Sequence, residues 1–307
     1  MPGISTNWAD LLDARHAKIY NDRYKQLPDM IGTFFQVVGA GAGPQKQEYR
    51  TSAAGAFGDV PEFTGTVTYD EAYQGYDVII TPKEYASGYQ IERKLFDDDQ
   101  FGIMDQKPRG LATALQRTRQ RHGAQIFNNA FSLDSTWLNN TENVALCSNS
   151  HTTTAAGVST ASGFDNLITA AFSATALAAA RIQMVGFRDD RANRMALNPS
   201  LIAHPPDIYD LVHEVIKSEG NPETANNAAN VHYEAYRAVE WLYFSDVNNW
   251  FLADPVMMKD SLVWFDRLPG QFAMVEAFDE LVGKWRVYDR HGAGHNDWRW
   301  VLGAQVS

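Results

Sequence analysis

DQKPRGLATALQRTRQRHGAQIFNNAF, residues 105 to 131, reads as one long helix. Asp105 suits an N-cap, and Pro108 is tolerated only in a first turn, where its missing N–H costs nothing. Leu111, Ala114, Leu115, Thr118, His122, Gln125, Ile126 and Ala130 recur at spacings of three and four. That gives a single narrow, weakly apolar stripe. Arg117 and Arg121 share another side, with Arg119 roughly opposite them. At about 1.5 Å per residue the helix runs more than about 30 Å, and Gly110 and Gly123 each weaken it by up to about 1 kcal/mol. A helix this long with so little apolar surface needs neighbours on several sides. It is expected to act as a spine along which other elements, including those of other subunits, are laid.

The 307 residues are 45% hydrophobic, enough for a core and more than one core usually holds, so two subdomains are expected. No apolar run reaches membrane-spanning length, and the N-terminus, MPGISTNWADLLDARH, has no apolar signal region. One cysteine, Cys147, excludes an internal disulfide and fits a reducing compartment. The Asn139-Asn140-Thr141 sequon is read as chance. A formal net charge of −11 argues for a chain soluble by itself and against a general nucleic-acid-binding surface.

Before the spine, residues 5–27 read as a short amphipathic helix ended by Pro28, with Trp8, Leu11, Leu12 and Ile19 free to lie on a partner. Ile31 to Val38 reads as a strand running into the glycine cluster 39–43. That cluster lacks the third glycine of a dinucleotide-binding turn and leads into no βαβ unit, so it is read as a hinge. Residues 46–95 are expected to hold an extended hairpin. One leg alternates through Phe63, Gly65, Val67 and Tyr69, Gly75 turns, and Tyr76, Val78 and Ile80 alternate back. A long polar arm of this kind is expected to lie across a neighbouring subunit.

Chemistry-bearing clusters are sparse. Asp97-Asp98-Asp99 has no other clustered ligands and reads as a solvated acidic turn. Cys147 and His151 are four apart, without a third group, an oxyanion site or enough zinc ligands, so Cys147 is read as structural. His291 and His295 in HGAGH read as a turn, Arg290–Gly294, between two hairpin strands. No catalytic, cofactor-binding or metal-binding residue is assigned.

After the spine, Thr152–Gly163 is expected to be an exposed loop and 164–187 helical, with Asp165 as its N-cap and a break near Ser173–Thr175. Strand segments are expected at 195–199, 201–203, 236–244, 248–257, 262–266, 273–278, 281–289 and 297–302, and a helix over 207–217. Residues 221–230, NPETANNAAN, are read as a polar loop.

The order of parts resembles the major capsid proteins of tailed bacteriophages with the Hong Kong 97 fold, more narrowly the Mu-like major head subunit group. The likeness is carried by GYQIERKLFDDDQFG (88–102), NNAF (128–131), ALCSNSH (145–151), LNPSLIAHPPDIYDLVHEVI (197–216), NPETANNAANVH (221–232), NNWFLADP (248–255) and WRVYDRHGAGHNDWRWVLG (285–303). It implies an α+β fold in five parts. These are an N-terminal arm (1–45), an extension-loop hairpin (46–85), a peripheral domain (86–160) with the spine helix 105–131, an axial domain (161–270) and return strands to the peripheral domain (271–307). NPETANNAANVH becomes a candidate axial loop.

The resemblance also implies a shell subunit without catalysis or cofactor. Its partners would be other copies in pentamers and hexamers, scaffolding, portal and maturation protease proteins, and packaged double-stranded DNA without sequence-specific contacts. No membrane is involved. Assembly would take place in the host bacterial cytoplasm and the product would be the virion capsid. The chain begins at the arm, so scaffolding is expected to be a separate protein or already removed. No motif selects Lys46, Lys83 or an asparagine for a covalent crosslink. The competing readings are a cellular nanocompartment shell of the same fold, and an enzyme using Gly39–Gly43 or Cys147 with His151.

Overall fold

The computed structural model describes residues 6–39, 47–67, 69, 74–92, 94–95, 98, 102–133, 136–220, 229–277 and 282–306, with backbone alone at 6–13 and 276. The spine is present as a 23-residue helix, Gln106–Asn128. It follows helix α1 (Thr6–Gln26) and a one-turn helix α2 (Ile31–Phe34), and is therefore α3. Asp105 does not cap it. Its backbone is already helical (φ −68°, ψ −16°) at the end of a 3₁₀ turn, whereas an N-cap needs extended backbone. The Asp105 carboxylate instead accepts from Arg15 of α1 at 2.6 Å.

Burial on α3 is wider than the predicted stripe. Leu111, Leu115, Ile126 and Phe127 are covered, and so are Gln116, Arg119, Gln120 and Gly123. Gly123 lets Trp241 close: a Cβ there would sit 3.2 Å from the indole ring. The 31–38 segment is not one strand. Asp29 accepts from the Ile31 amide at 3.0 Å and starts a helical turn, which sets Phe34 between Trp241 (4.8 Å) and Phe127 (5.4 Å). Only Gln36–Val38 is strand β1.

One face of α3 packs on a four-strand sheet, ordered β1, β10 (Leu262–Ala277), β11 (Val282–His295) and β4 (Lys83–Glu92). The segments expected at 262–266 and 273–278 are one strand. Register shifts between Asp266 and Gln271, around Pro269 and Gly270, carry the chain through. The expected Arg290–Gly294 turn is likewise strand. Gly292 and Gly294 are small because Ile80 lies against them; a Cβ at either would stand only 3.0 or 2.8 Å from its side chain.

Ile80 belongs to the three-strand sheet β2 (Tyr49–Ala54), β3 (Gln74–Ile80) and β5 (Leu138–Asn140). The returning leg of the hairpin is as expected. The outgoing leg is Tyr49–Ala54, and residues 61–67 are not strand; the alternation there has no pairing partner among the described residues. Gly75 is not a turn but sits inside β3, where a Cβ would meet that of Ala53 at 2.7 Å.

The largest core surrounds a mixed five-strand sheet, ordered β6 (Leu167–Ile168), β12 (Val301–Ala304), β9 (Trp250–Ala253), β7 (Leu201–His204) and β8 (Arg237–Glu240). Every residue of β7, β9 and β12 is buried, which fits their near-continuous apolar runs. Helices α4 (Ala174–Val185), α5 (Tyr209–Lys217) and α6 (Pro255–Ser261) complete this region. Residues 164–173 are not helical despite their alanines, because Leu167–Ile168 pairs with β12. Ser173, not Asp165, caps α4, accepting from the Ala176 amide at 3.1 Å. The predicted 297–302 strand is 301–304 and pairs with β9 and β6 rather than forming a hairpin with β11. The 248–257 segment is strand only to Ala253, since Asp254 caps α6 through the amides of Val256 and Met257. Residues 40–46 and 221–228, with most of the acidic run 97–99, lie outside the described residues.

A buried polar chain bolts the spine to the long sheet. Arg119 donates to both oxygens of Asp266 on β10 (3.2 and 2.7 Å) and to Asp289 on β11 (2.8 Å). Asp289 holds His291 Nδ1, and His291 Nε2 is hydrogen-bonded to His122 Nδ1 at 2.9 Å, returning the chain to α3. Tyr85 stacks on His291, 4.6 Å between centroids, and lies tilted against His122 at 4.7 Å. Burial by itself would lower the Arg119 pKa, but the hydrogen bonds and charge of Asp266, with Asp289, push it up instead. His122 is pushed down to about 4, first by burial and then by His291 and Arg121; His291 is lowered by burial against the pull of Asp289.

This packing sets expectations for stability. A Cβ at Gly110 would meet no atom within 4 Å, so Gly110→Ala is expected to stabilise by up to about 1 kcal/mol, whereas Gly123→Ala, pressed on Trp241, is expected to cost about 1–3 kcal/mol in urea unfolding. A histidine depressed to about 4 takes up its proton later than the unfolded chain, whose histidines titrate near 6.5. Between those values the unfolded state binds more protons, so stability present above pH 6.5 is lost as pH falls toward 4. The urea midpoint is expected to drop across this window. His122→Gln is expected to flatten the slope by up to about 1.4 kcal/mol per pH unit, one proton's share.

Candidate assembly interface

Cys147 and His151 are near in sequence and serve separate structural tasks. Cys147 is 2% exposed; its amide donates to Ala130 O at 2.7 Å, and its sulfur would stand only 2.6 Å from a Cβ on Gly303. Burial pushes the thiol pKa well up, so the nucleophilic thiolate is suppressed. His151 stacks on Trp298, 4.1 Å between centroids, with Nδ1 on the Glu142 carboxylate (3.0 Å) and Nε2 on Asn166 Oδ1 (3.1 Å). Asn166 in turn donates to Leu146 O and Val301 O and accepts from the Ser148 amide. This cluster ties the ALCSNSH segment to the five-strand sheet.

Among the described residues, no three His, Cys, Asp or Glu side chains gather as a metal site, and no helix is long and apolar enough to cross a membrane. His291 and His295, predicted on a turn, are buried within β11. Sequence spacing gave no signal for the Arg119–Asp266–Asp289 pairing, whose members are far apart in the chain. A lone arginine opposite two solvent-facing ones was the available hint.

Features that suit contact with other chains lie outside these cores. Beyond β2 the chain leaves its sheet as an extended segment, 55–67, that projects Phe57 (70% exposed), Val60 (95%) and Phe63 (70%). Val67 and Tyr69 continue the row. Large apolar side chains grouped on a polar arm with no core of their own mark a surface that another molecule covers. A second apolar feature is a groove of about 360 Å³ between the end of α1 and the outer side of α3, walled by Leu27, Met30, Gln120, Trp241 and Leu242. Trp8, Leu11 and Leu12 of α1, expected on a partner, lie where side chains are not described; Ile19 is partly buried.

Comparison with solved structures finds this architecture repeatedly. The asymmetric unit of the mature capsid of bacteriophage PhiM1 is 10% identical and superposes with a TM-score of 0.58 over 92% of this chain and 88% of that one. The capsid of a native GTA particle is 14% identical, TM-score 0.54, covering 92% and 91%. The procapsid of bacteriophage JBD30 is 13% identical, TM-score 0.53, covering 99% and 77%. A virus-like particle from Pyrococcus furiosus is 7% identical, TM-score 0.50, covering 94% and 96%. At such identities the likeness establishes the fold, the mixed α+β capsid fold expected from the order of parts. No curated protein sequence matches significantly. A family model described as phage capsid protein matches residues 75–304, which spans the spine, most of all three sheets and the buried polar chain. This chain belongs to the phage capsid protein family.

Proposed function

We propose that the chain is the repeating shell subunit of the icosahedral head of a tailed bacteriophage, enclosing double-stranded DNA and acting without catalysis. The observation that carries this reading is the projecting arm 55–67 with its uncovered Phe57, Val60 and Phe63, on a chain of the phage capsid family. An obligate interface commonly buries more than about 2,000 Å², and an arm supplies such area without enlarging the core. The arm then lies across a neighbouring copy, and copies gather into pentamers and hexamers. The net charge of −11 supports a wall that holds DNA without sequence-specific contacts.

Within this reading residues 1–45 act as the N-terminal arm, 46–85 as the extension loop, 86–160 with 271–307 as the peripheral domain and 161–270 as the axial domain. Two strands cross those limits: β10 already begins at Leu262, and β12 joins the sheet of the axial part. Scaffolding, portal and maturation protease proteins are the proposed partners, and assembly in the host bacterial cytoplasm is the proposed route to the virion. Placement in the Mu-like group rests on the quoted sequence segments. The family match favours a phage head over a cellular nanocompartment, although the Pyrococcus furiosus particle has the same fold.

Light scattering and negative-stain imaging of the chain co-expressed with its neighbouring genes are expected to show closed shells or five- and sixfold rings. Phe57→Asp with Phe63→Asp is expected to leave a folded subunit that no longer assembles, and Cys147→Ser to assemble as the parent does. A parent chain that stays monomeric in that co-expression would sink the shell reading.

A further inference from the structure

The buried polar chain dictates where its own protons sit. Asp289 is fully buried; its Oδ1 accepts from Arg119 at 2.8 Å and its Oδ2 lies 2.5 Å from His291 Nδ1. A carboxylate paired with a guanidinium only accepts, so His291 Nδ1 carries a hydrogen. A neutral imidazole has one hydrogen, so His291 Nε2 accepts, and His122 Nδ1, 2.9 Å away, is the donor. Both rings are thereby held in the Nδ1–H form. His122 Nε2 is left as a bare acceptor. It bonds no described residue, and on a partly buried ring it is not one of the sealed, unpaired atoms, so it faces water.

This order of donors gives a proton a path inward. A proton taken from water by His122 Nε2 makes that ring an imidazolium, and no bond in the chain is broken. The hydrogen on His122 Nδ1 then crosses to His291 Nε2. His122 is left neutral in its Nε2–H form, and the imidazolium now lies against Asp289. No heavy atom moves, and His291, which is 0% exposed, is reached without opening the core.

A second proton has no such place. With both rings cationic, His122 Nδ1 and His291 Nε2 each carry a hydrogen and point at one another, so the bond between α3 and β11 is lost. The surroundings oppose that state. Arg119 and Arg121 of α3 and Lys83 of β4 stand around the pair, answered by Asp266 of β10 and Asp289 of β11. The other neighbours are the neutral rings of Tyr85, Trp137 and Trp264.

We propose that Asp289, His291 and His122 form a proton wire that carries one proton, and no more, between solvent and the buried Arg119 ion pair, and that a second proton releases α3 from β11. The wire rests on the polar chain alone and stands apart from the shell reading.

Long-range proton–nitrogen spectra of the full chain, with its histidines labelled with nitrogen-15, provide the test. At about pH 7.5 both rings are expected in the Nδ1–H form, the minor one for a histidine free in water. On acidification the two rings are expected to shift together as they share one proton, while amide exchange across 115–126 stays unchanged. With the second proton that exchange is expected to rise by about tenfold or more. His122→Asn keeps a side-chain donor in the place of Nδ1 but cannot relay a proton. In that variant His291 is expected to stay in its Nδ1–H form over the pH range in which the parent pair takes up its first proton. An Nε2–H ring at either position of the parent at about pH 7.5 would overturn the proposal, whether or not the variant folds. So would a His291 that titrates unchanged in folded His122→Asn, or two protons taken up with no rise in exchange.

Discussion

Arg119 is the constraint on which the other parts depend. A guanidinium taken out of water is tolerated only with its charge answered and its donors filled. Asp266 and Asp289 do this from two adjacent strands, so the ion pair exists only when β10 and β11 are in register and α3 lies over them at the right height. A slip of either strand by one residue would turn its carboxylate to the other face of the sheet. The pair therefore contributes registry more than stability. The imidazoles of His291 and His122 extend the constraint back to the helix, and Tyr85 of β4 extends it to the sheet's far edge.

That arrangement explains which parts of the fold were legible in the sequence. The spine was, because Pro108 and the spacing from Leu111 to Ile126 mark a helix by local rules alone. So was the shortage of apolar surface on it, which implied neighbours all round. The polar side that faces the sheet was not, since Asp266 and Asp289 lie far from Arg119 in the chain. Residues 164–173 misread for a related reason: alanine favours helix, but β12 offers Leu167 and Ile168 backbone partners that local propensity cannot weigh. Gly292 and Gly294 look like a turn until Ile80 is seen against them. Cys147 could be read as inert from sequence because the groups needed to activate it were missing.

The apolar surface is divided between inside and outside in a way that suits a building unit. The large core around β7, β9 and β12 is sealed, with tryptophans 241, 250 and 300 fully buried. The projecting arm carries aromatic side chains that stay largely exposed. The inside supplies a rigid body, and the outside supplies contacts that are satisfied only in company. A strongly acidic chain adds a repulsion between copies that such contacts must overcome, and salt screens it.

Strand β1 has a consequence for the order of synthesis. Gln36 pairs with Val263, and β10 is itself held by β11, so a strand near the start of the chain has no partner until the last third has emerged from the ribosome. Contacts this distant in sequence form late and slowly. A polypeptide cut short before β11 contains the α3 sequence but lacks Asp289 and His291, and its first strand has only an unsupported edge to join. Such fragments cannot present the completed long sheet, so the topology itself separates finished chains from unfinished ones before any copy meets another.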